Sequence, residues 1–340
     1  MHRPPTGVGI LGTGSYLPAR HVSNADLADR VPGADPDWIS RKTLIEGRRF
    51  AAADEATSDL AARAAAEALR HARLPADRVD YLIVSTSTGD SPQPPTSALV
   101  QEAIGATRAA CLDINVVCSG FVFGLALARS LIVTNPEAVV LVIAADVYSR
   151  ILDFDDRRTA VLFGDGAGAA VVGAVPAPYG IVDVELVTRG EAHRLIHVDA
   201  GGSRLPASAD TVANGDHFFR MDGRAVRDFV LTGVPPVLAE LLKRAELTTS
   251  DVDHFVPHQP NGMMLSELVE ASGLTGAHTH RTLEELGNVG SASVPVTLDR
   301  AARSGTLRDG DVVLLAGFGG GMAVGACVLR WYAGPHRTAS

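Results

Sequence analysis

The chain has 340 residues, enough to bury a large core, and its 46% hydrophobic and 20% charged content marks a globular protein rather than a disordered one. A net charge of −9 with no basic stripe excludes a nucleic-acid surface and an anionic-membrane surface. The opening Met1-His2-Arg3-Pro4-Pro5 is too proline-rich for a signal peptide, and no apolar run is expected to reach the ~18 residues of a membrane span, so the expected location is the cytoplasm.

Strand-like and helical runs alternate along the chain, which predicts an α/β protein. Strands are expected at 8–11, 81–85, 110–115, 139–144 and 169–172, with helices at 58–72, 97–104 and 118–133. Past the chain breakers Pro176-Ala177-Pro178-Tyr179-Gly180 the scheme repeats. Strands follow at 181–187, 254–256, 312–316 and 326–331, and helices at 224–245, 261–272 and 293–304.

The repetition reads as an internal duplication, dividing the chain into 1–175 and 176–340. The stretch 74–85 lies over 247–258 without a gap, and 138–142 over 311–315. Phe163-Gly164-Asp165-Gly166 likewise matches Phe318-Gly319-Gly320-Gly321, and the superposition puts Cys118 near Asn288. Two such halves facing each other would gather residues that are remote in sequence.

Cys118 stands where the β-branched run ending in Val116-Val117 gives way to Ser119-Gly120 and an apolar helical pattern. A thiol on such a strand-to-helix turn faces free N–H groups and the positive end of the helix, which lowers its pKa and makes a nucleophile. Two polar islands in apolar surroundings accompany it, His258 in Val256-Pro257-His258-Gln259-Pro260-Asn261 and Asn288 in Gly287-Asn288-Val289-Gly290. Cysteine, histidine and asparagine, each at a predicted element end, point to catalysis rather than packing.

Other signals have structural readings. Three cysteines without a Cys-x-x-Cys pair indicate neither a disulfide framework nor a zinc site, so Cys111 and Cys327 are read as core packing. Gly7-Val8-Gly9-Ile10-Leu11-Gly12 has dinucleotide spacing but no preceding strand or following helix, and reads as an opening strand with tight turns. Gly164-Asp165-Gly166-Ala167-Gly168 lacks the lysine of a phosphate loop and reads as closely packed backbone. His278 and His280 have no carboxylate at ligand spacing and are expected as solvated loop histidines, and Asp153, Asp155 and Asp156 as a solvated loop. No metal or cofactor is expected.

The sequence resembles the β-ketoacyl-acyl-carrier-protein synthase III (KAS III) group of the thiolase-like superfamily. The resemblance rests on Val117-Cys118-Ser119-Gly120-Phe121, the glycine-rich 163–170 segment, His258-Gln259-Pro260-Asn261, Gly287-Asn288 with Ala292-Ser293-Val294-Pro295, and Phe318-Gly319-Gly320-Gly321, in the family's order over nearly the whole chain. It implies a thiolase-like five-layered αβαβα fold of two similar halves and a homodimer. It also implies a reaction: Cys118 accepts an acyl group from an acyl-CoA, and a malonyl thioester, on coenzyme A or a carrier protein, then condenses with loss of carbon dioxide. Fatty-acid initiation or polyketide and other specialised biosynthesis are the expected settings. The backbone N–H groups of Cys118 and Gly320 would form the oxyanion hole, and His258 with Asn288 would hold the malonyl carbonyl. Trp38, Lys42, Arg157, Asn261 and Met221 would line the coenzyme A side, with Phe229 and Met322 as further pocket walls and Pro94 and Pro95 near the dimer contact.

Two departures bear on substrate. Trp38-Ile39-Ser40-Arg41 continues as Lys42-Thr43-Leu44-Ile45, where the family shows an arginine and a glycine at the positions of Lys42 and Leu44. The helix after His258 lacks the usual cations and carries Glu267 and Glu270, which would repel an acidic carrier protein. This leaves an alternative, acyl transfer to an alcohol or amine, which Asn288 disfavours because plain transfer needs no decarboxylation donor. A catalytically silent scaffold is disfavoured by the intact trio.

Overall fold

The computed structural model describes residues 6–334; the Met1–Pro5 segment lies outside them. In the first half, β1 (Thr6–Tyr16) leads to a hairpin of β2 (Arg20–Ser23) and β3 (Gly47–Phe50) around α1 (Asn24–Ala28) and α2 (Pro36–Thr43). There follow α3 (Thr57–Ala72), β4 (Tyr81–Ser85), α4 (Thr96–Ile104), β5 (Ala110–Ile114), α5 (Gly120–Thr134), β6 (Val140–Val147), α6 (Arg157–Ala160) and β7 (Asp165–Pro176). The second half begins with β8 (Gly180–Thr188), β9 (Ile196–His197), α7 (Ala209–Ala213), β10 (Arg220–Met221) and α8 (Gly223–Arg244). It ends with β11 (His254–Pro257), α9 (Gly262–Ala271), β12 (His278–Thr279), α10 (Leu283–Leu286), α11 (Ser293–Arg303), β13 (Val312–Gly319) and β14 (Ala323–Arg330).

The two main sheets have one topology. Strand order is β1-β7-β6-β4-β5 in the first and β8-β14-β13-β11-β12 in the second, with two antiparallel pairs followed by two parallel pairs in each. Helices α5 and α11 lie between the sheets, where Phe121, Leu125 and Ile132 meet Val294, Leu298, Val142 and Val313 in one core. The outer face of the first sheet is covered by α3 through Leu60, Ala64 and Ala68, and that of the second by α8 and α9 through Val234, Leu238 and Leu268. The layers therefore run αβαβα.

The glycine-rich opening is a single long strand, not a run of tight turns. A Cβ on Gly12 or Gly14 would run into the α3 backbone at Ala72 and Ala68, so these glycines serve close helix-on-sheet approach. The stretch Val117–Thr134 also departs from expectation: it has the length and mean hydropathy, 1.8, of a membrane span. Half of it is buried, because α5 is one of the two helices packed between the sheets.

The duplication extends to fine detail. Short 3-10 turns at Val117–Ser119 and Gly290–Ala292 precede α5 and α11, and at the offset that aligns β4 with β11 they superpose. Val117 (φ +47°) then matches Gly290 (φ +59°), the counterpart of Cys118 is Ser291 rather than Asn288, and 318–321 at the end of β13 corresponds to 145–148 at the end of β6 rather than to 163–166.

Candidate active site

Cys118 sits in the Val117–Ser119 turn at the start of α5, and only 5% of it is exposed. The preceding Val117 is a β-branched residue held in the left-handed region, a conformation costing about 1–3 kcal/mol that the surroundings must impose. They do so through Ser119, whose Oγ donates to Ala323 O at 2.9 Å, and through the Gly319-Gly320 backbone. A Cβ on Gly319 would lie 3.0 Å from the Cys118 sulfur, and one on Gly320 3.1 Å from Val117 Cγ2. Gly319 is thus the residue against the sulfur and in the cavity wall, and Gly320 follows it, packed on Val117.

His258 follows β11, its N–H donating to Ala316 O at 2.7 Å and its ring edge-on to Phe318 at 5.4 Å. Nδ1 is sealed and unpartnered, and no hydrogen bond from the described residues occupies Nε2. Asn288 is fixed on three sides: its N–H donates to Leu162 O at 2.8 Å, its carbonyl accepts from Gly164 N at 2.9 Å, and its side-chain Oδ1 accepts from Gly290 N at 2.9 Å. With Oδ1 so engaged, the amide orientation is set and Nδ2 keeps its hydrogens for a ligand oxygen. The close packing read for the glycine-rich segment is present at Gly164, where a Cβ would meet Leu286 O at 2.5 Å.

Cys118, His258 and Asn288 line one cavity of about 260 Å³. Trp38, Lys42, Asn261 and Met221 line it too. Arg157 does not, but its guanidinium sits 5.0 Å over the Trp38 ring while donating to Gly33 O at 2.5 Å. Asn261 spends Oδ1 capping α9, accepting from Met263 N and Met264 N at 3.0 and 3.1 Å. Leu44, at the position of the family's glycine, ends α2 at φ +60°, the left-handed cap a glycine fills without strain.

Burial pushes the Cys118 thiol well above its usual value, the Asp146 charge adds to this, and its own N–H pulls the other way. Desolvation therefore outweighs the helix-end effect that a strand-to-helix turn suggests. His258 is depressed to about 3 by burial, so the thiol and the imidazole are both neutral at pH 7.

Some expected residues are elsewhere. Phe229 faces an outer groove of α8 with Val324, and Met322 is fully buried in the core beneath the second sheet. Cys327 is core, as expected, but Cys111 is only partly buried on the edge strand β5. His278 is exposed, whereas His280 is 9% exposed and its Nε2 lies 3.0 Å from His254 Nδ1, with His254 Nε2 3.0 Å from Asp311 Oδ2. Glu267 is not a free charge, because Arg227 of α8 meets it at 2.6 Å; Glu270 is exposed. Residues not foreseen are Arg158 in the cavity wall, the Tyr148–Phe163–Phe219 cluster (centroids 4.6–5.7 Å apart) and the buried Asp146. A carboxylate closing the all-apolar run 138–145 was the available signal for Asp146.

The buried histidines make acid stability testable. His258 (about 3) and His280 (about 4) stay neutral in the fold while an unfolded chain protonates them below about 6.5, so stability is full above that pH and lost as pH falls towards the folded values. Each should cost about 1.4 kcal/mol per pH unit through this window, roughly 2 kcal/mol at pH 5. Urea unfolding at pH 7 and pH 5 should show a loss that His280→Gln about halves; equal stability at both pH values would refute it.

Comparison with known proteins agrees with this arrangement. The family profile for 3-oxoacyl-[acyl-carrier-protein] synthase III matches residues 112–190, and that for its C-terminal part matches 242–331. Acetoacetyl CoA synthase NphT7 of Streptomyces sp. (strain CL190) is 48% identical over 324 residues, covering 95% of this chain and 98% of the relative. The β-ketoacyl-[acyl-carrier-protein] synthase III of Caldanaerobacter subterraneus subsp. tengcongensis is 42% identical, with 95% and 97% covered. The crystal structure of the Thermus thermophilus enzyme of that name superposes with a TM-score of 0.88 at 37% identity, covering 96% of this chain and all of that one. With the profiles and relatives covering nearly the whole chain and the two sheets superposing, the chain belongs to the β-ketoacyl-acyl-carrier-protein synthase III family and is a condensing acyltransferase.

Proposed function

We propose that this condensing enzyme takes both substrates as coenzyme A thioesters, loading a short acyl group on Cys118 and extending it with malonyl-CoA to a β-ketoacyl-CoA. In the first half-reaction the Cys118 sulfur displaces coenzyme A, and the thiol proton ends on the departing sulfur. In the second, malonyl-CoA loses carbon dioxide, its α-carbon attacks the acyl carbonyl, and Cys118 leaves as thiolate and is reprotonated. His258 and Asn288 Nδ2 donate to the malonyl thioester carbonyl, whose oxygen gains charge as carbon dioxide departs, and the N–H groups of Cys118 and Gly320 serve the acyl carbonyl.

The observation that carries the choice of coenzyme A is the charge of α9, whose first turns reach the cavity at Met264. The helix has no lysine or arginine, its Glu267 is already neutralised by Arg227, and Glu270 and Met263 face solvent. The helix itself offers an acidic carrier protein no cation, its flanking arginines being Arg227, paired with Glu267, and Arg281, donating to Ser266 Oγ at 2.9 Å, while a nucleotide finds Trp38 backed by Arg157, with Lys42 and Arg158 in the wall. The activity for which the Streptomyces relative is named, acetoacetyl-CoA synthesis, fits the same reading.

Steady-state kinetics with acetyl-CoA and either malonyl-CoA or malonyl carrier protein test it. The expected result is a kcat/KM at least about tenfold higher with malonyl-CoA, equivalent to about 1.4 kcal/mol. Preference for the carrier protein would overturn it, and acyl release without carbon dioxide would favour transfer to an alcohol or amine. We further infer a cytoplasmic homodimer of chains each divided at 175/176. The open edge strand β5 supports the dimer, three free thiols support a reducing compartment, and the change of sheet between Pro176 and Gly180 supports the division.

A further inference from the structure

Asp146, the penultimate residue of β6, is fully buried, and none of the ion pairs among the described residues includes it. Its carboxylate instead collects six donors from both halves of the chain. Oδ1 accepts from Ser87 N at 2.9 Å, Ser87 Oγ at 3.0 Å, and Thr86 and Thr88 Oγ1 at 3.3 Å each. Oδ2 accepts from Ser291 N at 2.8 Å and Ser291 Oγ at 2.6 Å. Burial raises the Asp146 carboxyl above its usual range, the hydrogen bonds from Ser291 and Ser87 pull the other way, and two of the six donors are backbone N–H groups that cannot turn away.

Two facts make this more than a structural tie. First, Gly290 lies directly on the carboxylate: a Cβ there would be 2.5 Å from Oδ2, and the residue is held at φ +59°. The same Gly290 donates its N–H to Asn288 Oδ1 at 2.9 Å. An unbroken chain of contacts therefore runs from Asp146 through Ser291 and Gly290 to the one atom that decides which way the Asn288 amide faces. Second, the duplicated fold puts Asp146 at the place taken by Gly319 in the other half, and Ser291 at the place of Cys118. In the second half's strand that position is a glycine, which leaves room for the nucleophile. In the first half's strand it is a carboxylate that grips the opposite turn.

We propose that Asp146 is a positioning residue for Asn288, the anchor that holds the Asn288–Ser291 turn so that the side-chain amide presents Nδ2 to the cavity. The inference rests on the reading of Asn288 as a donor in the decarboxylating half-reaction. Asp146 has no contact with substrate in this role and acts only through the turn.

Rates of Cys118 acylation by acetyl-CoA and of carbon dioxide release from malonyl-CoA should be measured separately for Ser291→Ala, Asp146→Asn, Asn288→Ala and the Asp146→Asn/Asn288→Ala double variant. Ser291→Ala loses one of the two hydrogen bonds to Oδ2 and keeps the charge; it should lower carbon dioxide release about tenfold, the scale of one charged hydrogen bond, and change acylation by no more than about twofold. Asp146→Asn sets an amide N–H against a backbone N–H and should lower release about a hundredfold. In the Asn288→Ala background it should add less than about threefold, because an anchor has nothing left to position. Multiplying losses in the double variant, or equal losses in both half-reactions with Ser291→Ala, would overturn the proposal. If Asn288→Ala itself spared release, the reading of Asn288 would fall and the proposal with it, an outcome seen without any Asp146 variant. Should Asp146→Asn fail to fold, Ser291→Ala combined with Asn288→Ala provides the same test of non-additivity.

Discussion

Replacing Cys118 with alanine should abolish covalent acylation and lower condensation by at least about a thousandfold, because no other group can take over the first bond-making step. The other thiols are poorly placed. Cys327 is buried in β14 and pushed up to about 12, and Cys111 lies on β5 with its thiol raised by burial and by Asp113. Neither lines the cavity. The fold should survive, since the change removes a single sulfur from a site already lined by Gly319, costing about 1 kcal/mol. Intact-protein mass measurement after mixing with acetyl-CoA should show one acetyl group on the wild type and none on the variant, with unchanged far-UV circular dichroism. An adduct that persisted and mapped to Cys111 or Cys327 would remove Cys118 from its role. Cys118→Ser should rescue little, because a hydroxyl is far less ionised at neutral pH than even this raised thiol and is a weaker nucleophile.

The elements most legible in the sequence were those with local causes. Strand β4 and helix α3 stand within a residue of their periodicity, Cys118 stands at a strand-to-helix change, and His258 and Asn288 are polar islands in apolar surroundings. The gap-free match of 74–85 with 247–258 announced the repeated sheets, and the two seats at Cys118 and Ser291 follow from it at the same offset. What stayed hidden is set by contacts between distant segments. Asp146 and Ser291 are 145 residues apart, so the anchor has no local signature. The glycines of β1 look like turn residues until α3 is seen packed on them. His280 looks like a loop histidine until β12 pairs beside β11 and brings His254 to it. The Cys118 thiol follows the same rule: the turn is local and lowers its pKa, but the desolvation that wins comes from the fold closing over the turn.

Val117 shows what the duplicated design costs. Its counterpart Gly290 adopts the left-handed conformation freely, yet the turn that carries the nucleophile imposes it on a β-branched side chain. That side chain forms part of the cavity wall and packs on Gly320. A glycine there would relieve strain but open the wall beside the sulfur, so the strain is retained where it shapes the site.

Alanine at His258 or Asn288 should lower carbon dioxide release and condensation about a hundredfold to a thousandfold, the range for losing one donor to a developing oxyanion. Acylation of Cys118 should fall by less than about tenfold. The argument for this split is electrostatic. Moving a proton from a thiol raised by burial and by Asp146 to an imidazole depressed to about 3 is steeply uphill, so His258 is a poor base for Cys118. A neutral imidazole that cannot readily charge is instead a stable N–H donor, and Asn288 Nδ2, with Oδ1 tied to Gly290, can only donate. Both therefore suit the oxygen that gains charge as carbon dioxide leaves. Because they serve one oxygen, the His258→Ala/Asn288→Ala double variant should lose less than the product of the single losses. The measurement is carbon dioxide release from malonyl-CoA alongside single-turnover acylation by acetyl-CoA, from pH 6 to pH 9. Equal losses in both half-reactions for His258→Ala, with acylation restored as pH rises, would show that His258 deprotonates the thiol and would return plain acyl transfer to consideration.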